Sequence, residues 1–318
     1  MNEHDYKTME AFFAQVDEEG ISNAVKAAER SHVIRRVAST PKDKSFEDAE
    51  RDGDDRAGGL PVGVVEVDGK LVGLGIHILN EDVYPLQSFE IYLRGCDLVG
   101  HLDLSGCVDM VFVDLYRNRI SSIDVSDMPA LRILGLQGNQ ISAIDPTGLP
   151  ACQGIDIGMN CLKAIDVTKN PELVELYVND NRLTSLDVSQ NAKLKYLRCQ
   201  NNGIIELDTT ANPLLRHLYA TGNPLKSIRA IAPGSEGGPL ELSAERGGSV
   251  GLSFNPIYNA QWKETGEWEQ SYHAYADEGF AFAGWYDEAG VSVCPDADWV
   301  DEYGTSRILT ARFLQELR

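Results

Sequence analysis

Apolar side chains return along the middle of the chain in blocks of 21 residues. Met110, Val113 and Leu115 are answered by Leu131, Leu134 and Leu136, then by Cys152, Ile155 and Ile157. Leu173, Leu176 and Val178, Leu194, Leu197 and Cys199, and Leu215, Leu218 and Ala220 continue the series. One amide follows each triplet at a fixed offset: Asn118, Asn139, Asn160, Asn181, Asn202 and Asn223. Two and five positions later stand further apolar residues, from Ile120 and Ile123 to Leu225 and Ile228. The pattern predicts coils that run out as a short strand, turn and return, with apolar residues buried only when neighbouring coils stack. At such a turn the backbone has amides and carbonyls that no strand partner reaches, and an Asn side chain brings both donor and acceptor. The six asparagines are therefore expected to be a structural ladder that satisfies buried backbone groups coil after coil.

Written out, the unit is L-x-x-L-x-L-x-x-N-x-L-x-x-L, the leucine-rich-repeat pattern. A degenerate earlier copy carries Ile91, Leu93 and Cys96, with Cys at the Asn position and one extra residue before Leu102. A 21-residue period leaves too few residues for a long return helix. Pro129, Pro150, Pro171 and Pro213 just before the next strand favour a tight, extended return. A second ladder follows the amides: Asp124, Asp145, Asp166, Asp187 and Asp208, each with Ser or Thr two residues on. That spacing predicts Asx turns. A calcium column is the sharper alternative, with only one acid per coil to support it.

Outside residues 86–238 the period fails. Residues 1–57 have helical apolar spacing, a break at Gly20, and then an acidic linker. In residues 58–85 the Asp68-Gly69 pair between alternating apolar residues predicts a β-hairpin. Together these are expected to cap the first coil, whose core would otherwise be exposed. Residues 239–318 open with Gly247-Gly248, alternate through Phe280–Tyr286 and Leu309–Phe313, and predict an all-β domain. Phe280, Phe282 and Trp285 are expected in its core.

The repeats resemble the short bacterial leucine-rich repeats of internalin-like proteins. The segment around Gly279-Phe280-Ala281-Phe282-Ala283-Gly284-Trp285 resembles the internalin-type B repeat, a small β-grasp-like domain that follows such repeats. The resemblance implies a leucine-rich-repeat solenoid: a short parallel β-sheet horseshoe with little helix on its convex side, an α/β N-terminal cap and a small all-β, β-grasp-like C-terminal domain. It also implies a non-enzymatic surface or secreted protein that binds a ligand on its concave sheet face. The candidate contacts are the strand residues that alternate away from the core: Tyr92, Phe112, Tyr116, Tyr177, Tyr196, Arg198, His217 and Tyr219. Gly135, Gly154 and Gly158 are read as a flat, bare centre over which a polypeptide or glycan chain crosses.

Composition narrows the alternatives. The 318 residues carry 49 acids and 28 bases, a formal charge of −21. That excludes a phosphate-tracking nucleic-acid binder and disfavours an anionic membrane surface. No stretch is long and apolar enough to span a bilayer. The first fifteen residues have neither a basic region nor an apolar run, so no secretory signal is expected in them. Location is accordingly open between the surface that the resemblance implies and the cytoplasm, where a scaffold recruiting basic partners is the alternative function. The six cysteines have no zinc spacing, and Cys152 and Cys199 stand where sister coils have leucine, which predicts buried thiols. Cys294-Pro295-Asp296 matches the Cys-x-Asp triplet of ubiquitin-ligase-type effectors, a remote reading that a three-residue match hardly supports. No cofactor, metal or catalytic constellation is expected, and the chain is expected to be a monomer.

Overall fold

The computed structural model describes residues 12, 14–23, 62–67, 70–75, 89–92, 95–108, 110–231, 239–258, 264–300 and 308–316. The chain forms two compact units, residues 1–161 and 162–318. Both are built from coils of a leucine-rich-repeat solenoid. Among the described residues no helix is long and apolar enough to cross a membrane.

In the first unit, β1 (Val62–Val67) and β2 (Lys70–Gly75) pair antiparallel with Val67 opposite Lys70. The Asp68-Gly69 turn, the acidic linker and most of the expected helices lie outside the described residues. The coils then supply β3 (Phe89–Tyr92), β4 (Val99–Asp103), β5 (Met110–Asp114), β6 (Arg119–Asp124), β7 (Ile133–Gly135) and β8 (Gly154–Asp156). Strands β3, β5, β7 and β8 run parallel, and Phe112, Ile133 and Gly154 share a register row at 21-residue steps. On the return side β4 pairs parallel with β6, and the register slips between Gly100 and His101, where the degenerate coil absorbs its extra residue.

Two amide side chains cover the edge of β4. Asn23 accepts from the Val99 N–H at 2.9 Å and donates to the Val99 carbonyl at 2.8 Å and the Phe12 carbonyl at 3.0 Å. Gln15 does the same for His101, accepting from its N–H at 2.8 Å and donating to its carbonyl. These side chains pair the Val99 and His101 backbone as a neighbouring strand would.

In the second unit, β9 (Glu175–Tyr177), β10 (Tyr196–Arg198) and β12 (His217–Tyr219) are parallel, again at 21-residue register. On the return side β11 (Glu206–Asp208) pairs parallel with β13 (Ser227–Ala230). Both sheets are then continued by the C-terminal segment. Strand β14 (Leu240–Ala244) pairs antiparallel with β13, while β15 (Gly248–Tyr258) pairs antiparallel with β12. Strands β16 (Glu264–Ala276) and β19 (Asp298–Val300) extend the β15 side; β20 (Ile308–Gln315), β17 (Phe280–Tyr286) and β18 (Ser292–Cys294) extend the β14 side. Phe254 opposite Leu218 and Leu242 opposite Ile228 are all buried, so these strands close the last coil's core.

Aromatic residues fill the C-terminal core as the sequence predicts for Trp285, which is fully buried and donates its Nε1–H to the Asp296 carbonyl at 3.1 Å. Phe282 lies edge-on to Trp285 and Phe313 at 5.9 and 5.7 Å, and Tyr272 packs against Trp285 and Trp299. Gly248 is a seat for this packing: a Cβ there would lie 2.2 Å from the Phe313 ring.

The Asn ladder has a consistent geometry. Each amide oxygen accepts from the coil before it: Asn118 from Leu98, Asn139 from Ile120, Asn160 from Ile141, Asn181 from Leu162, Asn202 from Leu183 and Asn223 from Ile204, at 2.9–3.2 Å. The NH2 of Asn139 donates to Leu115 and Leu136, and that of Asn202 to Val178 and Cys199. The residue before each ladder amide is left-handed: Arg117, Gly138, Met159, Asp180, Asn201 and Gly222, with φ between 53° and 71°. The acidic column makes Asx turns, Asp124, Asp145, Asp166, Asp187 and Asp208 each accepting from the N–H two residues on at 2.9–3.0 Å. Asp103 adds the same bond to Ser105 one coil earlier.

Candidate functional site

Along β9, β10 and β12 the middle residues Leu176, Leu197 and Leu218 are fully buried, so their neighbours alternate onto the opposite sheet face. Two rows result: Glu175, Tyr196 and His217; and Tyr177, Arg198 and Tyr219. The rows are pre-stacked. Tyr196 lies on His217 with ring centroids 4.5 Å apart and 19° between planes. The Arg198 guanidinium is 5.0 Å from the Tyr177 ring centroid and 5.5 Å from that of Tyr219. Such stacking fixes long side chains at about 0.5–2 kcal/mol per cation–π contact.

Exposure corrects part of the sequence reading. Tyr177, expected as an open anchor, is 1% exposed because Arg198 lies over its ring and its hydroxyl turns back to Glu175 at 3.4 Å. His217 is likewise buried, under Tyr196 and beside the Tyr258 hydroxyl at 3.5 Å. Burial is the main cause that lowers its pKa to about 4, with Arg216 and Arg198 adding to it and Glu264 opposing. The ring is neutral at pH 7. Tyr196, Arg198 and Tyr219 stay half-buried on the face.

The first unit departs further from expectation. Its glycines are not a bare saddle: Gly135, Gly154 and Gly158 are buried. A Cβ on Gly135 would lie 2.6 Å from Cε1 of Tyr116, so the Tyr116 ring occupies the space above that glycine. Its hydroxyl donates to Asp156, and Asp156 in turn accepts from the Gly158 N–H at 3.1 Å. Tyr116 is therefore 4% exposed, a structural strut across its own sheet. Phe112 is half-buried, and the Tyr92 side chain lies outside the described residues.

The remaining chemistry is placed as follows. Cys152 and Cys199 are fully buried, which pushes both thiols up to about 12. Cys294 of the Cys-x-Asp triplet is also buried in β18, its sulfur 3.9 Å from the Asp296 carbonyl. Among the described residues no three His, Cys, Asp or Glu side chains are grouped to hold a metal. Thr168 holds the Asp166 carboxyl below the usual range through its hydroxyl and N–H. Partial burial pushes Asp208 up, but bonds from Thr210 and the charge of Arg229 outweigh it.

Sequence reasoning missed two features. One is the corner at Asp180, whose two carboxylate oxygens accept from the Asn179 and Asn201 NH2 groups at 2.8 Å. The other is a second amide column, Asn170, Asn191 and Asn212, fully buried in the return turns. Its NH2 groups donate one coil back, Asn191 to Val167 and Asn170, Asn212 to Val188 and Asn191, at 2.9–3.0 Å. The 21-residue spacing of those asparagines was the available signal.

No family model matches the chain, and no curated protein matches it. Among solved structures it is similar to the functional domain of InlJ from Listeria monocytogenes, described as including a cysteine ladder. That match has 25% identity, covers 49% of this chain and 33% of the other, and has a TM-score of 0.41. It is also similar to a leucine-rich-repeat protein of Leptospira interrogans, at 20% identity over 38% of this chain and 33% of the other, with a TM-score of 0.36. The matched region is thus about a third of the length of each of those chains.

Proposed function

We propose that this is a non-enzymatic recognition protein whose second unit binds a polypeptide on the sheet face of β9, β10 and β12. The observation that carries the reading is that Tyr196 of one row and Arg198 and Tyr219 of the other are half-buried and already stacked. Tyr and Arg are the residue types that most often anchor protein contacts. Holding them in place before binding lowers the ordering cost of association. Leucine-rich-repeat solenoids present such a face on a rigid scaffold, which supports a binding role over catalysis. The buried residues Tyr177 and His217 hold Arg198 and Tyr196 in place by stacking, and a glycan in place of the polypeptide is the competing ligand.

A photo-crosslinking residue at position 219, compared with one at the turn position Ser189, tests this in cells of the source organism. A polypeptide adduct formed from 219 alone, and lost in Tyr196→Ala, is expected. No adduct from 219, or equal adducts from both positions, sinks the reading. Protease treatment of intact cells separates the two contexts. Digestion supports a surface or secreted binder, in keeping with the internalin-like resemblance. Protection until lysis supports an internal scaffold for basic partners, in keeping with the charge of −21.

A further inference from the structure

Strict alternation along β15 would send Tyr258 to the core side with buried Leu252 and Phe254. The register of β15 against β16 instead shifts between Pro256 and Tyr258. Ile257 is the residue passed over, and its carbonyl accepts from the Thr265 hydroxyl at 3.0 Å. A bulge of this kind re-aims the side chain that follows it. Tyr258 is thereby brought to the sheet face of β12, its hydroxyl 3.5 Å from Nε2 of His217. Tyr196 meets the same imidazole from β10, with ring centroids 4.5 Å apart. Since β12 lies between β10 and β15, two half-buried tyrosines flank one buried histidine.

Strand β12 is paired on both edges, to β10 and to β15, so a ligand cannot add a strand here. It must lie across the strands and be held by side chains. Strands β10 and β15 are two spacings apart, about 9.6 Å. A polyproline II helix returns a residue to the same side every third position, about 9.3 Å. Same-side residues of an extended strand recur at about 6.6 Å, and two turns of α-helix rise about 10.8 Å. The polyproline repeat is the closest match. Prolyl rings also bring no N–H to desolvate over an aromatic surface, and their preset φ lowers the ordering cost of binding. Beyond β15 the exposed Glu269 stands opposite Asn255, and residues 162–318 carry 22 acids against 14 bases. That field favours a basic residue beside the prolines.

We infer that Tyr196, His217 and Tyr258 form a docking strip for a proline-rich segment in the polyproline II conformation, flanked by a basic residue. The inference carries the proposed face onto the C-terminal strand β15 and rests on that reading. Fluorescent hexaproline-dilysine titrated against the full chain is the test. Beside it run a Gly-Ser hexamer with the same lysines and a hexaproline with two glutamates instead. Both comparison peptides are expected to bind at least about tenfold more weakly than hexaproline-dilysine. Tyr258→Ala is expected to cost about tenfold in Kd, the loss of one aromatic anchor, and Tyr258→Phe to stay within about twofold. Tyr286→Ala, on the other sheet, is expected to leave the affinity unchanged. Thermal midpoints matching the parent show that the variants are folded, and the peptide comparison on the parent stands without them. Absence of hexaproline-dilysine binding, equal affinity for either comparison peptide, or undiminished binding by Tyr258→Ala overturns the inference. So does an equal loss in Tyr286→Ala. The two readings fail separately: a partner crosslinked at 219 without proline discrimination removes the strip alone. Absence of the crosslink removes the face reading on which the strip rests.

Discussion

The return turns of the two units solve one problem with different chemistry. In the first unit the column Cys107, Met128 and Leu149 is apolar and buried; at the same 21-residue positions the second unit has Asn170, Asn191 and Asn212. The local backbone bonds are alike, Leu131 N–H to Met128 and Leu194 N–H to Asn191, at 3.2 and 3.0 Å. A coil thus tolerates either a filler or an amide at this point. At the strand-side corner, by contrast, both units use Asn. There the amide reaches three backbone groups at once, as Asn139 does with Ile120, Leu115 and Leu136. The sheet faces differ in the same spirit. In the first unit Tyr116 closes over Gly135, whereas in the second Arg198 and Tyr219 stay half-buried.

The largest effect that would sharpen this contrast is at the strand-side corner. Asn139→Leu strands the Ile120 N–H, a buried loss costing about 1–3 kcal/mol, and removes one of two donors from the Leu115 and Leu136 carbonyls, which keep Asn118 and Asn160. Chemical denaturation should therefore show about 2–4 kcal/mol lost, most of it from the stranded N–H. An effect no larger than that of Asn191→Leu would erase the distinction between the corners. Acid is the next lever. The folded pKa of His217 is depressed to about 4 from an ordinary 6.5. The unfolded chain therefore takes up the proton first as pH falls. Stability is full above pH 6.5, declines through the window and levels off below about 4, by up to about 3 kcal/mol. His217→Phe should flatten that slope. Asn191→Leu should cost only about 1 kcal/mol, because it removes two donated bonds but also an amide oxygen that has no partner among the described residues.

What could be read from the sequence follows from what repeats. The coil core, the Asn ladder and the Asx column each recur at 21 residues, so one misread coil is corrected by its sisters. The amide column at Asn170 was equally periodic, but only half the coils carry it. Tyr116 was misread because its contact spans 40 residues to Asp156 and depends on a rotamer, which no local pattern encodes. Tyr177 was misread because exposure depends on the neighbour in the next coil, and Arg198 was counted as a separate contact. Pairing of β14 with β13 and β15 with β12 was also illegible, since the period stops where those strands begin and alternation alone does not name a partner. The corner at Asp180 was hidden because polar residues there look like any solvated turn until their bonds are counted.

The smallest prediction uses the left-handed column. In the second unit it is filled by Asp180, Asn201 and Gly222, all residue types that accept positive φ, whereas the first unit has Arg117 and Met159 beside Gly138. A left-handed residue with an ordinary side chain carries about 1 kcal/mol of strain. Met159 is 56% exposed, so its side chain returns little packing. Met159→Gly should therefore raise stability in denaturant by a few tenths to about 1 kcal/mol, the relief of strain exceeding the added chain entropy. Asn201→Gly should gain less, because Asn already tolerates the conformation. If Met159→Gly instead destabilises the protein, the Met side chain is holding the coil in a way that its exposure does not reveal, and the two columns are equivalent after all.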